Sequence, residues 1–176
     1  MSRAYHDQYH PGDDVAADRW CDVAADRWCE QPMTETIADI RYVFCYGTLR
    51  PGCGNHRLWV ERATGLYDGA AVVPGYALVT GGAFPYAVPA AMSQTVGCLL
   101  AVHDETLLAD LDWLEGYRAG GQHNHYDRIV VPVITPDGPV RAWMYVAARE
   151  RDRLLDDVPT NEAGMFDWHE HRRARR

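Results

Sequence analysis

The sequence lacks an excess of positive charge, a long apolar run and a targeting segment. Lysine and arginine total 17 against 25 aspartates and glutamates, a formal net charge of −8. Duplex nucleic acid is therefore a poor candidate for the main partner, because phosphate binding needs a basic face. No apolar run approaches the roughly 18–20 residues of a membrane span, and residues 1–22 are too polar and acidic for a secretory signal or a transit peptide. We expect a cytoplasmic protein whose partner is neither nucleic acid nor a membrane.

The sequence also lacks a C-x-x-C pair among its five cysteines. It therefore supports neither a zinc ribbon nor a redox dithiol. Cys45 and Cys98 lie in apolar runs typical of strands, where a cysteine is usually a small buried hydrophobe. We expect reduced thiols without assigned chemistry.

What the sequence does have is an ordinary globular composition and one tandem repeat. Hydrophobic residues make up 47% and charged residues 24% of the 176 residues, which suits one domain with some residues left over. The octapeptide DVAADRWC occupies residues 14–21 and again 22–29, and two such short copies cannot build a solenoid. A docking peptide that uses Trp20 and Trp28 is one interpretation. We favour a poorly ordered terminal segment, because the repeat is terminal and its surroundings are polar.

These features divide the chain into three segments. We expect residues 1–32 to form a poorly ordered extension, residues 33–165 the folded domain, and residues 166–176 a basic tail. The tail ends in HEHRRARR. A solvated charge run explains that ending better than a nucleic-acid or membrane contact does.

Apolar patterning predicts many strands. The runs that indicate strands are residues 42–46, 72–80 with a Pro-Gly interruption, 96–102, 128–134 and 140–147. The last two are joined by a turn sequence and indicate a β-hairpin. Residues 84–89 are expected to be extended without forming a regular central strand, because their two prolines remove ladder donors.

Few helices are predicted. Asn55 is a candidate N-cap for a short helix over residues 56–64. Asp104 is the candidate N-cap of a longer helix that runs to about Glu115 and ends at Gly116. One face of this helix carries Leu107, Leu108, Leu111 and Leu114. A helix between strands in a strand-rich chain suggests an α+β domain with a twisted or closed sheet.

The first place where chemistry-bearing residues concentrate is the loop YGTLRPG, residues 46–52. A glycine at the end of a strand lets the backbone approach a ligand closely. Successive loop N–H groups can bind a carboxylate or a phosphate. The loop is not a Walker motif, and taken by itself it favours a plain structural turn.

The second place is Glu115, which lies within the arc of the four helical leucines. A carboxylate there is costly unless it is satisfied or functional. Burial and the negative end of the helix dipole would both raise its pKa, as suits a general acid/base. The helical wheel alone is equally compatible with a surface glutamate in a frayed last turn. Asp110 and Asp112 lie outside the arc or at its edge and are poorer candidates.

Several segments in order resemble the gamma-glutamylcyclotransferase-like superfamily, in particular the gamma-glutamylamine cyclotransferases and their bacterial relatives. The order and spacing agree over about residues 42–146. The matching segments are VFCYGTLRPG at 43–52, NHR at 55–57, FP at 84–85, VGCLL at 96–100, LDWLEGY at 111–117, Y-x-R at 126–128 and AWMYV at 142–146.

The resemblance implies a fold, an activity and site residues. The fold is α+β, a small mixed β-barrel with flanking helices and a cavity. The activity converts a small-molecule γ-glutamyl amide into 5-oxoproline and a free amine without a cofactor. The implied roles are acid/base for Glu115, contact with the glutamyl end through backbone groups for Tyr46, Gly47, Thr48 and Leu49, and lining of the site for Tyr126.

The loop over residues 116–125 is long and carries His123 and His125, a departure from the family pattern. It could reshape the leaving-group side of the pocket. Two loop histidines are thin evidence for a metal site, and we expect no required metal.

The chemistry fits the residues independently of the resemblance. In a γ-glutamyl amide, the α-amino nitrogen can attack the γ-carbonyl and close a five-membered lactam, helped by a folded geometry. One carboxylate can move the protons, and loop N–H groups can stabilise the oxyanion. The alternatives are a non-catalytic binding module for a small ligand or a peptide, and removal of a γ-glutamyl protecting group during biosynthesis. A retained Glu115 argues against the binding module.

A protein that starts at Met33 should fold and keep the activity of the full chain, because the preceding segment is expected to make no essential contact. Circular dichroism and activity of the two proteins check this. Loss of folding on truncation would show that the repeat packs onto the domain.

Overall fold

The computed structural model describes residues 39–104, 106–148 and 155–175. The tandem repeat, the expected extension 1–32 and the expected start at Met33 lie outside the described residues. The elements, in chain order, are β1 (Tyr42–Cys45), a 3-10 helix (His56–Leu58), β2 (Ala63–Thr80), β3 (Pro85–Val102), α1 (Thr106–Leu114), β4 (Tyr126–Thr135), β5 (Gly138–Ala147), β6 (Asp156–Asp157) and α2 (Trp168–Ala174). In the part of the chain that is described, no helix has the length and apolarity needed to cross a membrane.

Five strands close into a barrel. Strand β1 pairs antiparallel with β3 on one side and parallel with β5 on the other. Strand β5 pairs antiparallel with β4, and β4 meets β2 at the pair Val72 and Ile134. Strand β2 then pairs with β3 and completes the ring, while β6 adds to the end of β2. The predicted small mixed β-barrel with flanking helices is confirmed.

Strands β2 and β3 are longer than the sequence suggested. Each spans 18 residues. Residues 85–89 belong to β3 and pair with β2 alone among the described pairings, so the prediction of an extended segment that is not a central strand is confirmed. Pro85 and Pro89 pair with Thr80 and Tyr76 of β2. Prolines fit there because, among the described pairings, this part of β3 has a strand partner on one side. The Pro-Gly interruption in β2 is a register shift between Pro74 and Tyr76 rather than a break.

Helix α1 agrees closely with its predicted range. The Asp104 carboxylate accepts from the Thr106 backbone N–H at 2.8 Å, and Gly116 follows the helix with a φ of +63°. The Tyr117 N–H donates to the Asp112 carbonyl at 2.8 Å, which is the long bond of a Schellman ending. The short helix predicted over 56–64 was too long, since only His56–Leu58 is helical and Asn55 makes no capping bond.

Strand β1 is buried on both faces and so separates two groups of core side chains. Phe44 belongs to a cluster that includes Leu99 and Met144. The neighbouring Val43 and Cys45 face the other cluster, which contains Cys98 and the α1 leucines Leu107 and Leu111. Cys45 and Cys98 are buried free thiols, which confirms the expectation for these two.

The C-terminal segment is not a solvated tail as expected. Trp168 is 1% exposed, and the segment forms helix α2. Phe166 bridges to Thr95 of β3 just before it. Basic residues in the last turn of α2 suit the negative end of the helix dipole.

Gly97→Ala should destabilise the barrel by about 1–3 kcal/mol or more, because β1 and β3 touch at this glycine. A Cβ at Gly97 would lie 2.5 Å from the Cys45 carbonyl oxygen and 2.6 Å from Cζ of Phe44. Urea unfolding measures the loss. Gly54→Ala is the matched control, because a Cβ there meets nothing within 4 Å; equal stability of the two variants would contradict the packing.

Candidate active site

A cavity opens where β1 ends. It is lined by residues 44–49, Phe84, Pro85, Glu115, Tyr126 and Tyr145. The structure thus brings Glu115, the loop 46–49 and Tyr126 together, although these residues lie far apart in the sequence. All the residues proposed from the sequence therefore face one space.

In the loop after β1, the carbonyl groups of residues 47–49 accept hydrogen bonds, whereas the N–H groups of Thr48 and Leu49 are unused among the described residues. The Gly47 carbonyl accepts from the Arg50 N–H at 3.1 Å. The Leu49 carbonyl accepts from the Trp59 indole at 2.7 Å. Asn55 donates from its backbone to the Thr48 carbonyl and from its side chain to the Thr48 hydroxyl. Within the described residues, the N–H groups of Thr48 and Leu49 donate to no protein acceptor.

Unused, adjacent backbone N–H groups at the wall of a cavity suit a negatively charged oxygen. They can stabilise a carboxylate in the ground state or an oxyanion in a transition state. The loop forms a turn, as its sequence alone favoured, and it also places two N–H groups, without a protein acceptor among the described residues, in residues that line the cavity.

Arg50 anchors this loop from behind. Its side chain is 3% exposed and pairs through Nη1 with Asp167 at 2.7 Å and through Nε with Asp68 at 2.8 Å. Asp167 also accepts from the His169 N–H at the start of α2, at 2.8 Å. One guanidinium therefore joins the loop, β2 and α2.

The phenols of Tyr46 and Tyr126 are committed to backbone groups. Tyr46 donates to the Tyr145 carbonyl at 2.8 Å and accepts from the Ala87 N–H at 3.1 Å. Tyr126 donates to the Pro85 carbonyl at 2.9 Å. Burial raises the pKa of Tyr46 well above its usual value. These two residues are rigid walls rather than proton donors.

Glu115 directly follows α1, and its backbone is held on both sides. Its N–H donates to the Leu111 carbonyl at 2.9 Å, and its carbonyl accepts from the Tyr126 N–H at 3.3 Å. Burial raises the pKa of its carboxyl group to about 7, which confirms the direction expected from the sequence. Among the described residues, no hydrogen-bond donor or cation contacts this carboxyl. It can therefore bind and release a proton near neutral pH.

Sequence reasoning missed a polar chain behind the cavity. The Tyr145 hydroxyl donates to Asp112 at 2.7 Å. Both oxygens of Asp112 accept from Nη1 of Arg128, at 2.8 and 3.0 Å. The residues belong to three separate matching segments, and nothing in their spacing shows that they meet.

The loop over residues 116–125 contributes one histidine to an aromatic wall. His125 lies 5.7 Å from Phe84, between ring centroids, and its Nε2 is 2.9 Å from the Tyr86 hydroxyl. Tyr86 stacks on Tyr126 with centroids 4.9 Å apart. His123 is exposed and lines a different groove. In the described ranges no group of three or more His, Cys, Asp or Glu side chains could hold a metal ion.

Arg50→Met should lower the free energy of unfolding by about 3–5 kcal/mol, because it leaves the buried Asp167 without its cation. Arg62→Met is the matched control. Arg62 also contacts two aspartates, Asp104 and Asp110, but its side chain is 27% exposed, and exposed ion pairs contribute little to stability. Denaturant titration compares the two, and equal losses would show that Arg50 is not an anchor.

Comparison with known proteins agrees with this site. The family model described as gamma-glutamyl cyclotransferase, AIG2-like, matches residues 43–169. The gamma-L-glutamyl-butirosin B gamma-glutamyl cyclotransferase of Niallia circulans is 33% identical over 131 residues, which cover 74% of this chain and 76% of the relative.

Two crystal structures share the fold. YkqA from Bacillus subtilis has a TM-score of 0.56 at 24% identity, covering 77% of this chain; the chain spans 42% of YkqA. An AIG2-like protein from Mus musculus has a TM-score of 0.52 at 22% identity, covering 67% of this chain and 85% of that one. At these identities the likeness concerns the barrel alone. The family match and the 33% identical relative together show that this chain belongs to the AIG2-like gamma-glutamyl cyclotransferase family.

Proposed function

We propose that this protein cleaves a γ-glutamyl amide to 5-oxoproline and a free amine, by attack of the substrate's own α-amino group. The observation that carries the proposal is Glu115, a partly buried carboxyl with a pKa of about 7, in the same cavity as the unused N–H groups of Thr48 and Leu49. Family membership supports it.

The reaction places defined demands on the site. The α-nitrogen forms a bond to the γ-carbonyl carbon, and the bond from that carbon to the departing nitrogen breaks. Two protons leave the attacking ammonium group, which ends as a lactam N–H. Two protons arrive on the departing nitrogen, which ends as an ammonium group. No electron is transferred, so we propose a reaction without a cofactor.

Glu115 serves as the proton carrier between the two nitrogens. Its carboxylate form takes a proton from the attacking nitrogen, and its acid form returns one to the departing nitrogen. A pKa near the working pH suits both halves of this task. The N–H groups of loop 46–49 stabilise the oxyanion that forms on the γ-carbonyl oxygen.

The rigid walls fold the substrate for ring closure. Tyr46 and Tyr126 are held by hydrogen bonds to the backbone, so they confine the glutamyl chain in a bent conformation. Holding the two reacting atoms close together in the bound substrate lowers the entropic part of the activation barrier.

Two versions of this activity differ in the amine that departs: a general γ-glutamyl amide cleavage, and removal of a γ-glutamyl protecting group during biosynthesis. The Niallia circulans relative is named for the substrate gamma-L-glutamyl-butirosin B. Removal of a γ-glutamyl group from a larger amine is therefore the version that this relative favours. A panel of γ-glutamyl amines, γ-glutamyl dipeptides and gamma-L-glutamyl-butirosin B, assayed for 5-oxoproline, identifies the class. Binding without release would indicate a non-catalytic binding module.

Glu115→Gln should lower the rate of 5-oxoproline release by about a hundredfold to ten-thousandfold, because the amide cannot accept a proton. In the parent protein, kcat/KM should rise with pH through the pKa of about 7. Glu61→Gln, at an exposed glutamate, is the matched control and should keep full activity. Near-normal turnover of folded Glu115→Gln would reject the mechanism.

The Glu115→Gln variant also tests how the free energy of unfolding depends on pH. The pKa of Glu115 is raised from 4.5 to about 7 in the folded protein, so the folded state retains a proton that the unfolded state has lost between these pH values. The free energy of unfolding of the parent should therefore fall, relative to Glu115→Gln, as the pH rises from 4.5 to 7. Thermal melts across this range test it, and a variant that is less stable at pH 8 would point to a structural carboxylate.

A further inference from the structure

Tyr145 lines the same cavity as Glu115, and its hydroxyl group is held in one direction. It lies in β5 and is buried. Its hydroxyl is 2.7 Å from Asp112 Oδ1. Asp112 is held in turn by Arg128, whose guanidinium carbon lies 4.5 Å from the ring centre of Trp143 and 5.1 Å from that of Tyr117.

The pairing of Asp112 with Arg128 determines which group donates in the hydrogen bond between Tyr145 and Asp112. Both oxygens of the Asp112 carboxylate accept from Arg128, and a carboxylate can only accept hydrogen bonds. The Tyr145 hydroxyl must therefore donate its hydrogen to Asp112. Burial and then the bond to Asp112 raise the pKa of Tyr145 far above its usual value, so the phenol stays protonated.

The lone pairs of the Tyr145 hydroxyl oxygen therefore remain available to accept a hydrogen bond. Among the described residues, no donor reaches this oxygen. A hydroxyl whose hydrogen is already committed can only accept from a ligand. Tyr145 therefore presents an acceptor, and not a donor, to whatever occupies the cavity.

The cavity is thereby divided into a donor side and an acceptor side. The donor side is the pair of N–H groups of Thr48 and Leu49. The acceptor side consists of the carboxylate of Glu115 and the oxygen of Tyr145. A γ-glutamyl amide matches this division, because it carries a carbonyl oxygen that accepts and an α-ammonium group that donates.

We propose that the phenolic oxygen of Tyr145 accepts a hydrogen bond from the α-ammonium group of the substrate and thereby selects ligands with a free α-amino group. The proposal rests on the proposed function. An acceptor on one N–H fixes the rotation of the amino group, so that the lone pair freed when Glu115 takes a proton faces the γ-carbonyl carbon. Asp112 and Arg128 are positioning residues, because they act through Tyr145.

The test measures binding in the full-length Glu115→Gln protein, where turnover is slow. Calorimetry compares a γ-glutamyl amide with the glutaryl amide that lacks the α-amino group. Tyr145→Phe, added to Glu115→Gln, should weaken binding of the γ-glutamyl amide by about ten- to hundredfold, the range for a hydrogen bond to a charged group. Binding of the glutaryl amide should stay within about twofold.

Tyr67→Phe is the matched control, because the Tyr67 hydroxyl also donates to an aspartate, Asp137 at 2.6 Å, at an exposed position outside the cavity. It should change neither affinity. A Tyr145→Phe protein that loses affinity for both ligands equally would show a structural role and overturn the proposal. An unchanged ratio of the two affinities would overturn it as well.

Asp112→Asn supplies a second variant that keeps the Tyr145 ring. Without the carboxylate, the Tyr145 hydroxyl is no longer forced to donate away from the cavity, so the preference for the α-amino ligand should fall. A preference that survives in this variant counts against the proposal. Release of 5-oxoproline by the parent protein distinguishes a failure of this proposal from a failure of the proposed function. If the parent releases 5-oxoproline and the affinity ratio is unchanged in the variant, only the role of Tyr145 is overturned. If the parent neither binds γ-glutamyl ligands nor releases 5-oxoproline, the proposed function is overturned as well.

Discussion

The buried guanidinium of Arg50 is the contact on which the geometry of the site depends most. A charge this deeply buried is tolerable only with fixed partners, and its partners are Asp68 on β2 and Asp167 at the start of α2. The two residues just before Arg50 line the cavity, and among the described residues their N–H groups have no protein acceptor. The ion pairs of Arg50 hold the loop that carries these N–H groups, and none of the three paired residues lines the cavity.

Two carboxyl groups three residues apart show how environment decides chemistry. Asp112 accepts hydrogen bonds from Arg128 and Tyr145, so its charge is compensated. Glu115 ends the same helical stretch with no such partner among the described residues, and burial alone raises its pKa. Because its charge is compensated, Asp112 is a fixed hydrogen-bond acceptor. Because Glu115 has no compensating partner among these residues, it is ready to exchange a proton.

Close packing of β1 against β3 brings the loop to the cavity in the first place. Gly97 leaves no room for a side chain between itself, Phe44 and the Cys45 carbonyl. The two strands therefore approach closely at the point where β1 ends. Strands β2 and β3 stay paired up to the turn that joins them, and Phe84 and Pro85 at this turn form part of the cavity wall.

The sequence by itself determined the features that depend on neighbours along the chain. Periodicity, capping residues and turn residues located β1, α1, the β4–β5 hairpin and the unusual position of Glu115, because each signal is contained within about ten residues. The matching segments also predicted a shared site for loop 46–49 and Tyr126, and the structure places these residues at one cavity. Local signals failed where distant contacts override them, as for the basic C-terminal segment, whose Trp168 is buried.

Only the tertiary structure decided the contacts between distant residues. The barrel closes through the parallel pairing of β1 with β5 and one pair between β2 and β4. Arg50 and Asp167 are 117 positions apart, and Tyr145 and Asp112 are 33 apart. Neither pair can be predicted from periodicity or spacing, because a hydrogen bond between two distant segments depends on how the sheet closes. The orientation of the Tyr145 hydroxyl follows from that closure, and the position of loop 46–49 also depends on the ion pairs of Arg50.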